Sequence, residues 1–361
     1  MPSYRVECAD IEKDRQAILA VWRRNLPTTD KLEEKFDWQF LNNPCGTGRC
    51  WKAEADGELV GVTSLGMRSV KIGSSVVAAG ASCDLAVDKK HRFLQPALML
   101  IKAVLTSTEQ HASIVYGFPH SRVAAVMKRA GYGELCSVDR YAKVLRVSPH
   151  LRRLAGLSRL GPAIGGFLDF GYAAFSSFSE GSRGDYVSEV LTDFDERFDE
   201  LWDRVKDEHA VLTVRDSRFM RWRYQECPLR KYVTIGLLSK DRSRLHGYLI
   251  CYADDEYASC VDVFAAAEPH VFRCLIQAWI DWARQRSLTA LSIKCSADPM
   301  LLDALKRLRF SRRTVPGLSV TSDQNDSELS RPLLAHWAPA GPIDSNIVAQ
   351  WYFTAGDQPY N

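Results

Sequence analysis

This sequence has a small net charge, few long apolar runs and few metal-ligand motifs. Its 361 residues carry a net charge of only +3, which gives no reason to expect a nucleic-acid partner. The N-terminal stretch MPSYRVECADIEKDRQ is polar and lacks the apolar core of a signal peptide. The ten cysteines form no disulfide framework, and Cys45 and Cys50 have no second Cys/His pair at zinc-ligand spacing. We therefore expect a cytoplasmic protein with reduced cysteines, no metal site and no nucleic-acid partner.

Familiar catalytic signatures are also missing. The sequence contains no Ser-His-Asp order, no P-loop and no zinc signature, and the glycine-rich stretch GPAIGG has no strand before it. An apolar fraction of 46% and an aromatic fraction of 10% are nevertheless ample for the core of a soluble protein. A chain of this length predicts about two domains.

The chain repeats itself. FDWQFLNNP around Trp38 and FMRWRYQECP around Trp222 both contain Trp, one residue, an aromatic residue, three residues and then Pro, at an offset of 184. Farther along, CDLAV matches VDVFA with Asp84 over Asp262, and KRAGY matches KRLRF, both at an offset of 178. Two matches at one offset indicate a duplicated domain, with a loop of different length between the Trp motif and the central strand.

Both copies predict the same order of secondary structure: a strand, a helix, antiparallel strands, a helix, a strand and a final helix. In the first copy the crossover helix is expected at 93–107 and the final helix at 121–130, after which Gly131 favours a left-handed cap. In the second copy Pro299 is expected at a helix start, with Asp298 as its N-cap. The mixed order predicts an antiparallel meander joined to a parallel crossover at the central strand.

These patterns predict an α/β fold of mixed sheet order, built from two tandem domains related by duplication. The first domain is expected at 1–149, a connector at 150–184, and the second domain at 185–361 with a closing C-terminal segment. The apolar run of the connector is too short and too interrupted to span a bilayer. We interpret the connector either as a segment packed across both domains or as a weak membrane-surface contact through residues 150–177.

The repeated strand, basic loop and helix resemble the GCN5-related N-acetyltransferase (GNAT) fold, and the whole chain resembles a tandem pair of such domains. DLAVDKKHRFLQPALML corresponds to the family's strand, basic loop and helix start, and VYGFPHSRVAAVMKRAGY to its next strand and helix. WYFTAGDQPYN resembles the closing segment of tandem acyltransferases found with bacterial surface-polysaccharide genes. The resemblance implies an acyltransferase that uses acetyl-CoA or another acyl-CoA and acts on the amine or hydroxyl of a small-molecule or saccharide acceptor.

The resemblance also implies a coenzyme A site at the loop before the crossover helix. A helix N-terminus offers free N–H groups and a partial positive charge to a pyrophosphate, and glycines let the chain approach it closely. Here Gln95 and Ala97 stand at glycine positions and Pro96 removes one N–H. The loop is either a working site or a relic in which Phe93 and Gln95 fill the phosphate position. The cofactor-binding residues so implied are Leu85, Ala86, Val87, Lys89, Lys90, Arg92, Phe93, Gln95 and Ala97.

The second copy departs further from the family pattern. Its equivalent joint, AAAEPHVFRCL, has Glu268 near the phosphate position and contains no glycine. Because an acidic side chain repels a phosphate, this copy is expected to shape the substrate groove and not to hold a cofactor.

Two residues are candidates for acid–base chemistry. Asp84, on the central strand, is either a base or substrate anchor, or a buried structural partner, which its repetition at Asp262 favours. His120 stands where a family subset has Asn, and it is either a general base or a cap of the following helix. Tyr132 matches Phe310, so apolar packing is expected of it.

The repeated aromatic residues allow two interpretations. They either anchor the N-terminal helices of each copy to its own sheet, or they line a groove for a large acceptor. On the second interpretation the groove residues are Trp38, Trp222 and Tyr224.

Three functions are compatible with these patterns. The first is acyl transfer from coenzyme A, with groups other than aminoacyl groups as the cargo. The second is a non-catalytic binding protein with a degenerate cofactor loop. The third is an aminoacyl transferase of the Fem type, which takes its donor from tRNA and which a net charge of +3 supports little.

Overall fold

The computed structural model describes most of the chain. The described residues are 3–27, 30–146, 185–296, 298–313, 330–337, 345–348 and 350–359. The predicted connector at 150–184, with its membrane-surface alternative, lies outside them. Within these ranges, no helix is both long enough and apolar enough to cross a membrane.

Helices and strands follow one another much as predicted. The α-helices are α1 (Arg15–Asn25), α2 (Leu32–Phe36), α3 (Leu94–His111), α4 (Ser121–Ala130), α5 (Glu196–Val205), α6 (Ser217–Met220), α7 (Pro269–Gln285), α8 (Pro299–Arg307) and α9 (Ser345–Val348). The strands are β1 (Tyr4–Cys8), β2 (Arg49–Ala55), β3 (Glu58–Ile72), β4 (Ser75–Val87), β5 (Ile114–Gly117), β6 (Gly133–Val144), β7 (Tyr186–Leu191), β8 (Val211–Thr213), β9 (Val233–Ser239), β10 (Leu245–Ala253), β11 (Tyr257–Ala265), β12 (Ala290–Cys295), β13 (Ser311–Arg312) and β14 (Ser330–Trp337). Two π-helical turns, Asp37–Leu41 and Arg221–Gln225, carry the repeated Trp motifs.

The chain divides into two compact units. Unit 1 comprises Met1–Val138, His209–Lys231 and Arg331–Asn361, and unit 2 comprises Asp139–Glu208 and Tyr232–Ser330. Unit 1 therefore contains both Trp motifs and the C-terminal segment. The predicted domain limits were drawn from the sequence repeat, whereas the two units are defined by contacts between residues. The predicted limits stay a prediction.

The sheet of unit 1 changes from antiparallel to parallel pairing at β4. Its strands lie in the order β1, β2, β3, β4, β5 and β14. The pairs from β1 to β4 are antiparallel, β4 and β5 are parallel, and β5 and β14 are antiparallel. β8 pairs with the far end of β3. Since α3 connects β4 to β5, this is the predicted meander joined to a parallel crossover.

Two apolar layers cover the sheet of unit 1. Val87 of β4 packs with Leu100 of α3, whereas its neighbour Ala86 packs with Trp22 of α1 and Phe36 of α2. Successive residues of a strand point to opposite faces, so α3 covers one face and α1 with α2 covers the other.

Unit 2 repeats this order of elements. Its strands lie in the order β7, β9, β10, β11, β12 and the last part of β6, and only β11 and β12 are parallel. α7 connects β11 to β12, and its Leu275, Ile276 and Trp279 lie in the core. Asp262 lies on the strand that leads to this crossover helix, as Asp84 does in unit 1. The predicted mixed α/β fold class is confirmed, and the repeated order agrees with a duplication.

Local signals placed several helix ends correctly. Asp298 caps α8, because its carboxylate accepts a hydrogen bond from the Leu301 N–H at 2.8 Å. Such a cap contributes about 1 kcal/mol. Pro299 is the first residue of α8, where a missing N–H costs no hydrogen bond. Gly131 ends α4 with a φ of 123°, a conformation that favours glycine.

Candidate active site

β4 and β5 separate part-way along the sheet of unit 1. The last pair in their parallel register is Ala81 with Tyr116, whereas β4 continues to Val87. Beyond that pair, one edge of β4 has backbone N–H and C=O groups without a partner in β5. Leu85–Val87, the predicted cofactor-binding residues of this strand, lie in this part. Such an edge can bind an extended ligand in the way that it would bind another strand.

A β-bulge lies in the same part of β4. Ser64 of β3 is opposite Cys83, and Val62 is opposite Ala86, so β4 has one extra residue between these pairs. Asp84 lies in the bulge with a φ of 52°. This left-handed conformation costs a residue other than glycine about 1 kcal/mol.

The bulge places two successive side chains on the face that α1 and α2 cover. Gln39 Nε2 donates to Cys83 Sγ at 2.7 Å, and Lys35 Nζ donates to Asp84 Oδ1 at 2.6 Å. In a regular strand Cys83 and Asp84 would point to opposite faces. Both members of the Lys35–Asp84 ion pair are buried, and Lys35 also lies 4.8 Å from the Trp22 ring. Asp84 is therefore the partner of a buried lysine, and its catalytic role stays a prediction.

Contacts with α1 fix the start of the basic loop. Arg92 donates from Nε to the Val87 carbonyl at 3.0 Å and from Nη2 to Asn25 Oδ1 at 3.2 Å. Arg24 and Asn25 also donate to the Asp88 carboxylate. Burial alone would raise the pKa of Asp88, but these two donors hold the pKa below its usual value. The loop is thus anchored at the end of α1.

The remaining side chains of the basic loop leave the start of α3 open. Lys89, Lys90 and Gln95 are exposed, and 64% of the Phe93 side chain is accessible. Phe93 and Gln95 are thus not packed into the protein interior, and the choice between a working site and a relic stays a prediction. Ala97 is half-buried inside the first turns of the helix.

A buried tyrosine hydroxyl lies where β4 and β5 separate. The Tyr132 hydroxyl is 3.0 Å from Oγ of Ser82, the residue that follows the last β4–β5 pair. Burial raises the pKa of Tyr132 far above its usual value, against a smaller lowering by the Ser82 bond, so the hydroxyl is protonated at neutral pH. We expected only apolar packing here. The sequence does contain a signal for a polar role: Tyr132 carries a hydroxyl that the matching residue of the second copy, Phe310, lacks.

His120 lies between β5 and α4. It is exposed and directly precedes α4, but its side chain makes no capping hydrogen bond. His120 is thus the N-cap residue of α4 by position, but its side chain does not cap the helix as Asp298 caps α8. Its role as a general base stays a prediction.

The two repeated tryptophans pack on each other inside unit 1. Their rings are 4.8 Å apart and 17° from parallel. Trp38 Nε1 donates to the Trp222 carbonyl at 2.8 Å, and Trp222 Nε1 donates to the Trp38 carbonyl at 2.9 Å. Reciprocal bonds of this kind are expected where two copies of one motif meet face to face. Both tryptophans and Tyr224 are buried, and their contact with an acceptor stays a prediction.

Three buried arginines hold the C-terminal segment of unit 1. Arg215 Nη2 donates to the Asp357 carboxylate at 3.0 Å. Arg223 and Arg68 donate to main-chain carbonyls of the same segment, Thr354–Pro359. This cluster could not be predicted from the sequence, because arginine is usually exposed and no local pattern marks a buried one.

Unit 2 shows a similar strand separation without a matching loop. The last pair in the register of β11 and β12 is Cys260 with Ile293, whereas β11 continues to Ala265. Glu268, directly before α7, is exposed and lies 3.5 Å from His270 Nε2. An exposed carboxylate at this point agrees with the expectation that no phosphate binds here, which stays a prediction.

Residues 10–135 match the family described as "Acetyltransferase (GNAT) domain". This stretch contains the separated strands, the bulge and the basic loop. The first part of the chain is similar to a GNAT domain. The resemblance to GNAT domains stated from the sequence is thereby confirmed, whereas the association with polysaccharide genes stays a prediction. The GNAT fold supports acyl transfer from coenzyme A in general.

Solved structures show the GNAT fold over nearly the whole chain. A probable N-acyltransferase from Enterococcus faecalis V583 has a TM-score of 0.64 at 11% identity, over 93% of this chain and 73% of that one. A GCN5-related N-acetyltransferase from Anabaena variabilis ATCC 29413 has a TM-score of 0.63 at 12% identity, over 92% and 72%. A tandem GNAT protein from the clavulanic acid biosynthesis pathway has a TM-score of 0.55 at 13% identity, over 95% and 100%. No curated protein sequence matches the chain.

Proposed function

We propose that the chain transfers an acyl group, acetyl in the first instance, from coenzyme A to an amine or hydroxyl acceptor, and that unit 1 holds the cofactor. The separation of β4 from β5 after Ala81, beside the bulge at Asp84, carries this proposal. The part of β4 beyond its pairing with β5 leads to the N-terminus of a long helix, and it would offer hydrogen bonds to the pantetheine amides and a positive field to the pyrophosphate.

The basic loop fits a pyrophosphate. α3 is 18 residues long, and the exposed Lys89 and Lys90 belong to the loop that precedes it in the chain. Phe93 and Gln95 face solvent and leave the helix start accessible. Pro96 removes one donor, although proline is well tolerated in a first helical turn. These features support a working site over a relic.

Acyl-coenzyme A would supply the thioester, and residues of unit 1 would polarise it and move the protons. The backbone N–H groups of Leu85–Val87 are the proposed donors to the thioester carbonyl. Tyr132, whose hydroxyl is protonated at neutral pH, is the proposed donor to the leaving thiolate. His120 is the proposed base for the acceptor, and Asp84, in its ion pair with Lys35, the proposed substrate anchor.

We also propose which kind of acyl group is transferred and which kind of acceptor receives it. The basic loop fits coenzyme A, whereas a Fem-type transferase would take its donor from tRNA, so the loop supports the transfer of groups other than aminoacyl groups. An amine or hydroxyl of a surface-polysaccharide precursor is one acceptor of the proposed class, supported by the resemblance of the C-terminal segment. For unit 2 we propose no cofactor, since Glu268 stands near the phosphate position.

Calorimetric titration of acetyl-CoA tests the cofactor site. The double variant Lys89→Glu/Lys90→Glu reverses two exposed charges beside the start of α3. Exposed charge pairs contribute about 0.2–1 kcal/mol each, so we expect the dissociation constant to rise about tenfold or more. Lys102→Glu makes the same kind of change at an exposed position farther along α3, and it should leave the affinity nearly unchanged.

Two results would contradict the proposal. Absence of binding to the wild type, with acetyl-CoA and with longer acyl-CoAs, would favour a non-catalytic protein. Equal affinities of the wild type and the double variant would place the cofactor elsewhere.

A further inference from the structure

Two carboxylates enclose the part of β4 that is proposed to hold the thioester. Asp84 lies directly before Leu85–Val87, and Asp88 lies directly after them. Lys35 of α2 donates to Asp84 Oδ1 at 2.6 Å. Arg24 of α1 donates to Asp88 Oδ2 at 3.0 Å. The helical layer on one face of the sheet thus holds the residues on both sides of Leu85–Val87.

The two ion pairs differ in exposure. The side chains of Arg24 and Asp88 retain 49% and 24% of their accessible surface, whereas those of Lys35 and Asp84 retain 6% and 0%. Exposed pairs contribute little to stability. A buried pair is often no more stabilising than apolar side chains of similar volume would be, because both ions lose their water. The Lys35–Asp84 pair is therefore better explained by what it specifies than by the stability it adds.

The buried ion pair and the β-bulge depend on each other. Asp84 faces α2 only because the bulge places it on the same side as Cys83. In a regular strand Asp84 would point to the other face, away from Lys35. The pair therefore forms only in the bulged register, and it offsets the cost of the left-handed φ of 52° at Asp84.

The register of β4 decides where the N–H groups of Leu85–Val87 point. Ala86 and Val87 are opposite Val62 and Gly61 of β3. Successive N–H groups of a strand point to alternate edges, so some point to β3 and the others to the edge that lies beyond the pairing with β5. A shift of the register by one residue exchanges the two sets. It would turn toward β3 the N–H groups that are proposed to meet the thioester.

The second copy differs at both positions. Phe219 stands where the first copy has Lys35, at the offset of 184 shared by the Trp motifs. Asp262 matches Asp84 but has no positive φ. The lysine and the left-handed aspartate thus occur together in the copy that carries the basic loop, and neither occurs at the matching position of the other copy.

We propose that Lys35 and Asp84 are positioning residues of the acyl transfer. Their ion pair selects the bulged register of β4 and thereby directs N–H groups of Leu85–Val87 to the thioester carbonyl. Because the Asp84 side chain retains no accessible surface, the anchoring proposed for it acts through the main chain and not by contact with the substrate. This role rests on the acyltransferase function proposed above. Loss of the bulged register should reduce polarisation of the thioester and leave the binding of coenzyme A nearly unchanged.

The carbonyl stretching band of bound acetyl-CoA measures this polarisation. Hydrogen bonds to a thioester oxygen weaken its C=O bond and lower the stretching frequency. Infrared difference spectra with acetyl-CoA that is isotope-labelled at the carbonyl carbon separate this band from those of the protein. We expect a lower frequency in the wild-type complex than in free acetyl-CoA.

Two double variants separate the bulge conformation from the charges. Lys35→Met/Asp84→Leu removes both ions and places a residue that disfavours a positive φ at the bulge, so the band should return to the frequency of free acetyl-CoA. Lys35→Met/Asp84→Gly removes the same ions, but glycine adopts a positive φ without steric cost, so the lowered frequency should be kept. Neither variant contains an unpaired ion at this position, so both should fold. Lys35→Met/Asp84→Ala makes the same test as the leucine variant with a smaller side chain.

Affinity and rate show whether the change is confined to the thioester. The dissociation constant of coenzyme A without an acyl group should stay within about twofold of the wild type in both double variants, because the basic loop is unchanged. Thiol release from acetyl-CoA should fall about 100-fold in Lys35→Met/Asp84→Leu, the effect of misplacing a reacting group by about 1 Å. Lys35→Met/Asp84→Gly should recover most of this rate.

The outcomes distinguish this role from the proposed function. An unshifted band in the wild-type complex, a wild-type band in the leucine variant, or a lost shift in both double variants would overturn the positioning role. Binding of acetyl-CoA to the wild type would in each of these cases still support the cofactor site. Absence of acetyl-CoA binding to the wild type would overturn the proposed function and the positioning role together.

Discussion

Replacing Lys35 by Met should destabilise unit 1 by about 3–5 kcal/mol, because it removes the cation that faces a buried carboxylate. Lys35 Nζ lies 2.6 Å from Asp84 Oδ1, and the side chains retain only 6% and 0% of their accessible surface. Asp84 lies in the bulge with a φ of 52°, and its side chain retains no accessible surface. Met keeps an apolar stem of similar length beside Trp22, so the loss reports the charge more than the volume.

Urea-induced and thermal unfolding of the wild type, Lys35→Met and Lys35→Met/Asp84→Leu measure this loss. For a unit of about this size, the expected fall in melting temperature is on the order of 10 °C. The double variant removes both charges and should recover most of the loss, since it leaves no unpaired ion in the apolar layer. Lys102→Met, an exposed change on α3, should stay within about 0.5 kcal/mol of the wild type.

Two results would refute this reasoning. A loss below about 1 kcal/mol in Lys35→Met would mean that water screens the pair as it screens a surface salt bridge. A double variant as unstable as Lys35→Met would mean that packing around the lysine stem, and not the buried charge, sets the cost.

Two further changes test the chemistry and the basic loop. Tyr132→Phe should slow thiol release from acetyl-CoA by about 100-fold, as loss of a general acid does, with an unchanged dissociation constant for coenzyme A. An unchanged rate would remove Tyr132 from the reaction. Gln95→Gly should cost about 1 kcal/mol or less, because the side chain is exposed in the first turn of α3, and should keep or strengthen coenzyme A binding in calorimetry. A destabilised variant without affinity for coenzyme A would contradict an open loop.

The sequence predicted what depends on short-range pattern. The order of elements, the crossover at β4 and the ends of α4 and α8 follow from periodicity and from residues such as Gly131 and Asp298, whose effects act within a few positions. The family resemblance also depends on a contiguous stretch, the strand, basic loop and helix. Arg92 and its neighbouring lysines could therefore be assigned to one loop from their order along the chain.

The candidate site depended on contacts that no local pattern contains. Lys35 and Asp84 are 49 residues apart, and Trp38 and Trp222 are 184 apart. The sequence marked both tryptophans as a repeat, but it could not show that the two copies pack on each other. Nor could it show that one extra residue in β4 turns Cys83 and Asp84 to the same face, because a bulge is defined only by the register with β3.

The sequence by itself determined the α/β class, the internal repeat, the GNAT resemblance and the residues of the basic loop, since these depend on spacing and residue type. Only the tertiary structure decided that Asp84 forms an ion pair with Lys35 and that Arg68 is buried. It also decided that the Tyr132 hydroxyl lies within hydrogen-bond distance of Ser82, where β4 and β5 separate. The physical reason is that burial and pairing depend on which distant segments the chain brings together. Arg68 and Pro359 are 291 residues apart in the sequence, so their contact can stabilise the protein only after unit 1 has folded.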